Sequence, residues 1–255
     1  MENRRHTVLI TGGGTGIGLA FARRFMRDGH RVIICGRRVA PLAAAEAAMP
    51  GLMTRVCDCA SEEERVGLAS WALGTFPDLD MLMNNAGIQV RGGLPIGRPW
   101  KEVQEEIAVN LEAPIHLSML FAGQFAKRDG AAIVNVTSGL AFAPMAHAPV
   151  YCATKAALHS FTLSLRHELS ATGVRVVEVI PPAVNTDLGG AGIHTHGTPL
   201  EEFADAAYAK LVRGEEEIGY GFSERSRLAS RQELEEMFRR MNPPREAGGE
   251  GKRVG

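Results

Sequence analysis

Short apolar runs of strand length alternate with segments of helical period along most of the chain. The runs are "HTVLIT" (6–11), "RVIICG" (31–36), "LMTRVCD" (52–58), "LDMLMNNAG" (79–87), "AAIVNVTS" (131–138) and "VRVVEVI" (174–180), and "EEEIGYG" (215–221) is a short seventh. Between them, Ile17, Leu19, Ala20, Phe21 and Phe25 form one face of a helix starting near Gly16. An Ala-rich helix (40–49), a helix opened by Ser61 and Glu64 as a capping box, a long helix (100–128) and a helix at 149–171 follow. Pro114 should bend the long helix rather than end it, because apolar periodicity resumes beyond it. Near-continuous apolar strands joined through helices require a parallel sheet covered on both faces. Right-handed crossovers make it doubly wound. The expected fold is one α/β Rossmann-type domain over 1–241, with a parallel sheet of six to seven strands. A Gly-rich loop at 187–199 and a disordered tail at 242–255 stand apart from it.

The composition narrows the class of partner. A net charge of -1 on 255 residues gives no reason to expect nucleic acid or an anionic membrane. No apolar run approaches the roughly 18–20 residues of a membrane span. The N-terminus enters a strand at once and lacks the apolar core of a signal peptide. Cys35, Cys57, Cys59 and Cys152 show no disulfide framework or zinc-knuckle spacing, so they read as reduced thiols of a cytoplasmic protein. Cys152 is either a small packing residue or a reactive thiol beside Tyr151.

"TGGGTGIG" (11–18) lies between the first strand and the first helix. Gly12 permits a sharp turn, Gly16 a close backbone approach to a pyrophosphate, and Gly18 close helix–sheet packing. Helix N–H groups at Thr15, Gly16, Ile17 and Gly18 would face the phosphates. The second strand ends "IICGRR" and has no acid to bond ribose hydroxyls. Arg37 and Arg38 can instead pair with a 2′-phosphate, which favours NADP(H) and leaves NAD(H) possible. The alternative is two solvated arginines at an unfavourable helix start.

Tyr151 and Lys155 are four residues apart in a helical segment and share one face. An ammonium beside a phenol stabilises the phenolate and should bring Tyr151 toward neutral pH, as a general acid and base. Ser138, at a strand end, can donate to the same substrate oxygen.

These motifs, T-G-x-x-x-G-x-G, "NNAG" (84–87), Ser138 and Tyr151-x-x-x-Lys155, resemble the short-chain dehydrogenase/reductase superfamily over roughly residues 6 to 220. The stretches "SGLAFAPMAHAPVY" and "PPAVNTDLGGAGIHTHG" resemble the branch encoded beside teichoic-acid D-alanylation genes, a resemblance that implies no substrate. Membership implies a catalytic Asn110 holding a water behind Lys155, and Lys155 bonded to the nicotinamide ribose. It implies Asp58 at the adenine amino group, and Asn85, Ala86 and Gly87 along the ribose. It implies contacts from Pro181 to Thr186 at the nicotinamide, with Val184 and Thr186 holding the carboxamide. Pro182 replaces the family's usual Gly, which puts those last contacts in question. The family also implies a homodimer or homotetramer built on the Asn110 and Tyr151 helices.

The expected activity interconverts a small-molecule carbonyl and alcohol. Two rivals are an NADP-binding sensor with little turnover and an isomerase or epimerase that retains its cofactor. No metal is expected, since His194-x-His196 is only half a site. Leu140, Phe142 and Met145 form the expected apolar wall of the substrate pocket. Ile88, Gln89 and Arg91 lie at its edge, where Arg91 either meets an anion or is solvated.

Overall fold

The computed structural model describes residues 4–91 and 97–244. Seven parallel strands form one sheet in the order β3-β2-β1-β4-β5-β6-β7. They are β1 (Thr7–Thr11), β2 (Arg31–Gly36), β3 (Met53–Val56), β4 (Leu79–Asn84), β5 (Ala132–Val136), β6 (Arg175–Ile180) and β7 (Glu217–Gly219). The helices are α1 (Gly16–Arg27), α2 (Val39–Ala48), α3 (Glu62–Thr75), α4 (Trp100–Ile107), α5 (Ala113–Phe125), α6 (Pro149–Glu168), α7 (Leu200–Val212), α8 (Phe222–Leu228) and α9 (Arg231–Met241).

Alternate residues of each central strand enter opposite cores, as the period of two requires. Val8, Ile10, Val32 and Ile34 pack with Phe21 and Phe25 of α1 and Tyr208 and Leu211 of α7. Leu9, Ile33, Leu82 and Ile133 pack on the other face with Leu68 of α3 and Leu117 and Phe121 of α5. Strand order reverses between β1 and β4, so the loops leaving their carboxyl ends diverge and open a crevice there.

The strands agree with the sequence reading, while several helices differ from it. The expected long helix is two α-segments joined by a π-helical turn, Ala108–Glu112. Pro114 stands in the first turn of α5, where it has no N–H to offer, and the widened turn carries the chain past it. The box at Ser61 is half formed. Ser61 Oγ accepts from Glu64 N at 3.3 Å, but the Glu64 carboxylate accepts from Asp58 N at 2.7 Å instead of from Ser61. A complete box exists at Ser230 and Glu233, opening α9. α7, α8 and α9 were not expected from the sequence. Asn242, which the sequence reading puts in the tail, accepts from Ala146 N at 2.6 Å and donates to Pro144 O at 3.0 Å. The remainder of the expected tail, from 245 onward, lies outside the described residues.

Candidate functional site

The glycine loop is fixed from beneath by β4. Asn85 Nδ2 donates to Thr11 O at 2.9 Å and to Gly12 O at 3.2 Å. The backbone N–H groups of Asn85 and Ala86 both donate to Thr11 Oγ1 at 3.0 Å. Gly12 has φ 63°, and a Cβ there would stand 2.8 Å from Ala86 Cα. A Cβ on Gly18 would stand 2.4 Å from Asn85 Nδ2, so Gly18 lets α1 sit down on the β4 loop. Thr15 is the N-cap of α1 with no side-chain cap bond, and the first turn carries no acid. The helix dipole and the Thr15 hydroxyl are therefore both available to an anion.

A cleft of about 1130 Å³ runs from this loop across the carboxyl ends of the strands. It exceeds the about 300–1,000 Å³ of ordinary small-molecule pockets, which suits a dinucleotide with a substrate beside it. The glycine loop at Gly12, Thr15, Gly16 and Ile17 lines it, as do Arg37, Arg38 and Asp58, then Asn85, Ala86 and Gly87. Pro181, Pro182, Val184 and Thr186 line it too, as do Ser138, Tyr151 and Lys155, and Thr186 Cγ2 would stand 3.6 Å from a Cβ on Gly16. Gly18 and Asn110 stand behind the wall. The residues present thus fit a dinucleotide: a positive-φ loop, an acid-free helix start and two arginines at the adenosine end.

Of the two arginines on the cleft wall, one already has a partner. Arg37 is ion-paired with Glu105 of α4, so its charge is already partly answered. Arg38, the N-cap of α2, is exposed on the cleft wall. Asp58 Oδ1 accepts from Ala60 N at 3.0 Å, which fixes the carboxylate at the wall.

Tyr151 and Lys155 occupy the first two turns of α6, with Nζ 5.7 Å from the phenol ring centre. Both are buried, at 6% and 4% exposure. Burial holds the Tyr151 phenol above its ordinary range, against a lowering by the Ser138 hydroxyl. Burial also brings Lys155 down from 10.5 to about 8. The expectation that Lys155 lowers Tyr151 is therefore reversed in the protein alone. The reason is desolvation of the phenolate, together with an ammonium turned to Val136 O at 2.8 Å. Ser138 Oγ accepts from Leu140 N at 3.2 Å, which aims the hydroxyl.

Asn110 lies within the π-helical turn and is fully buried. Its Oδ1 accepts from Ile88 N at 2.9 Å and its Nδ2 donates to Ile88 O at 2.8 Å. The amide thus clasps the loop that leaves β4, just past Gly87. A Cβ on Gly87 would stand 3.4 Å from Asn110 Oδ1 and 3.7 Å from Lys155 Nζ, so both side chains reach the space beside Gly87.

On the substrate side, Leu140 and Met145 face the cleft, as expected. Phe142 does not; its ring packs against His159 at a tilt of 60°, with centroids 4.7 Å apart. His194 Nε2 meets Gln89 Oε1 at 3.2 Å, which docks the 187–199 loop onto the β4 loop. Among the described residues His194 and His196 gain no third ligand. Phe222 and Met241, at the ends of α8 and α9, also line the cleft and were missed by sequence reasoning. The Ser230–Glu233 box was the available signal for α9.

The model of the short chain dehydrogenase family matches residues 6–197. The chain is 45% identical over 248 residues to the uncharacterized oxidoreductase DltE of Bacillus subtilis (strain 168), covering 95% of this chain and 98% of that one. It is 34% identical to serine 3-dehydrogenase of Rhizobium radiobacter, covering 71% and 73%. Among solved structures, a short chain dehydrogenase from Burkholderia cenocepacia J2315 in complex with NADP superposes with TM-score 0.82 at 25% identity, covering 96% and 100%. One from Sphingobium yanoikuyae in complex with NADPH superposes with TM-score 0.80 at 27% identity, covering 96% and 98%. Fold, cleft and relatives agree: the chain belongs to the short-chain dehydrogenase/reductase family of oxidoreductases.

Proposed function

We propose that this oxidoreductase prefers NADP(H) and interconverts a carbonyl and an alcohol, with Tyr151 as general acid and base. The observation that carries the reading is the shared cleft. Ser138, Tyr151 and Lys155 line the same cleft as the glycine loop, Arg37 and Arg38. When bound, the nicotinamide cofactor supplies or accepts the hydride.

Tyr151 holds its proton firmly in the free protein, which is the state a carbonyl reductase needs before substrate arrives. The phenol donates that proton to the carbonyl oxygen, and Ser138 donates a second hydrogen bond to the same atom. Positive charge entering the cleft favours the phenolate and offsets the burial that disfavours it. An ammonium has three donors, and one of those on Lys155 is given to Val136 O, so the other two can hold ribose hydroxyls. Asn110, clasped to Ile88, keeps the chain beside Lys155 in place for proton return. The loop at 187–199, held by the Gln89–His194 contact, excludes water from the substrate end. The exposed Met119 of α5 and Leu163 of α6 support a homo-oligomer formed on those helices. Among the described residues no helix is long and apolar enough to cross a membrane, and the reduced thiols support the cytoplasm as its compartment.

The test follows NADPH and NADH absorbance over a panel of aldehydes, ketones and diketones, with Tyr151→Phe beside the wild type. NADPH consumption that vanishes in the variant supports the reading. Tight NADPH binding with no consumption on any compound favours a sensor.

A further inference from the structure

Three of the four cysteines converge where the sequence shows no metal motif. The thiol sulfurs of Cys35, Cys57 and Cys59 all lie within 4.8 Å of one another. Cys35 belongs to β2, and Cys57 and Cys59 follow β3. The register pairs Cys35 with Arg55, and Cys57 N donates to Gly36 O at 3.0 Å. β3 ends at Val56, and beyond it Cys57 and, from the following turn, Cys59 pack into the same core cluster as Cys35. All three thiols are buried, at 0%, 2% and 5% exposure, yet Cys57 and Cys59 form part of the cleft wall.

Beside them lies an unanswered charge. Arg65 of α3 is 4% exposed, and its guanidinium donates to Cys59 O at 2.7 Å, Ala60 O at 3.1 Å and His116 Nδ1 at 3.1 Å. None of these acceptors is a carboxylate, and among the described residues Arg65 forms no ion pair. A buried cation with only neutral partners is costly, and a neighbouring anion offsets that cost.

We propose that Cys35, Cys57 and Cys59 form a trithiolate site for a thiophilic d¹⁰ metal ion, with Zn²⁺ as its representative. Zinc bonds thiolate at about 2.3 Å, which holds tetrahedral sulfurs about 3.8 Å apart, so small rotamer changes close the observed spacing. Each thiol gives up its proton on binding, three in all, and three Zn–S bonds form without oxidation or reduction. One Zn²⁺ with three thiolates carries one net negative charge, which the Arg65 guanidinium balances. The fourth coordination position faces the cleft, where water completes it.

The probe is Zn²⁺ alone, titrated into the reduced full chain against a chromophoric chelator, with thiols counted by a reagent afterwards. Cd²⁺ gives the thiolate charge-transfer band. We expect one equivalent bound, three thiols protected with Cys152 outside the set, and a Cd²⁺ band matching three sulfurs. Cys35→Ser, Cys57→Ser and Cys59→Ser should each weaken binding by about 10-fold or more, while Cys152→Ser changes nothing. No saturation at one equivalent, protection of fewer than three thiols, or equal weakening by Cys152→Ser overturns the proposal. The wild-type thiol count decides the matter even if a serine variant fails to fold. None of these readouts requires turnover, so the result stands apart from the carbonyl–alcohol reading.

Discussion

Replacing Lys155 by methionine should stabilise the protein without cofactor while abolishing its proposed activity. The side chain is 4% exposed, and burial alone brings it from 10.5 to about 8. A displacement of that size corresponds to about 3 kcal/mol of penalty for keeping the ammonium charged in the fold. Methionine preserves the length and apolar body of the stem. It leaves Val136 O without the bond it accepts at 2.8 Å, which costs about 1 kcal/mol. The net gain is about 2 kcal/mol at about pH 7, or roughly 4–8 °C in Tm for a chain of this size. The pH dependence follows from the lowered value. The folded protein gives up this proton more readily than the unfolded chain. The wild type is therefore penalised fully below about 8 and relieved as pH rises toward 10.5. Urea unfolding of both proteins at about pH 7 and about pH 9.5 should show the advantage shrinking by roughly 2 kcal/mol. A variant less stable than wild type at the lower pH, or an advantage independent of pH, would refute the account of Lys155 as a strained cation.

Three further outcomes can be checked. Tyr151→Phe should retain NADPH binding by fluorescence titration and lose about 10²-fold or more in kcat; substantial turnover removes Tyr151 as the acid. Glu105→Gln frees Arg37 from its ion pair and should tighten NADPH up to about 5-fold without changing NADH; equal shifts for both cofactors dissociate Arg37 from the 2′-phosphate. His159, 2.8 Å from the buried Glu178 carboxylate, is raised by that hydrogen bond above its ordinary 6.5. Its stabilisation is complete below 6.5 and lost as pH rises through the higher folded value. His159→Gln should therefore destabilise the fold more at about pH 5.5 than at about pH 8, and equal losses in thermal unfolding would contradict this.

What could be read from the chain was what a short stretch of it determines. The glycine loop, the strands and the Tyr151–Lys155 spacing are local patterns, and each lies where its period and neighbours place it. The π-helical turn at Asn110 was half visible, because Pro114 announces a distortion without specifying which kind. The cysteine cluster was invisible, since it depends on the β2–β3 register across the 21 residues between Cys35 and Cys57. The direction of the Tyr151 shift in the protein without cofactor was hidden for a related reason. Spacing shows that an ammonium is near, but only packing shows that desolvation outweighs it. Phe142 turning to His159 and Glu105 reaching Arg37 are likewise long-range events with no local signature.

The Asn242 clasp on residues 144 and 146 has a consequence for how the cleft comes into being. A ribosome delivers the glycine loop, the arginines and the Ser138–Tyr151–Lys155 set long before α8 and α9. The nascent chain can thus complete its nucleotide cradle and its proton-handling groups while one side of the substrate chamber is still unmade. Phe222 and Met241 arrive last and finish that side. Because Ser223 packs against Gly139 and Asn242 holds residues 144 and 146, changes in these helices reach both the wall that admits a molecule and the turn that carries Ser138.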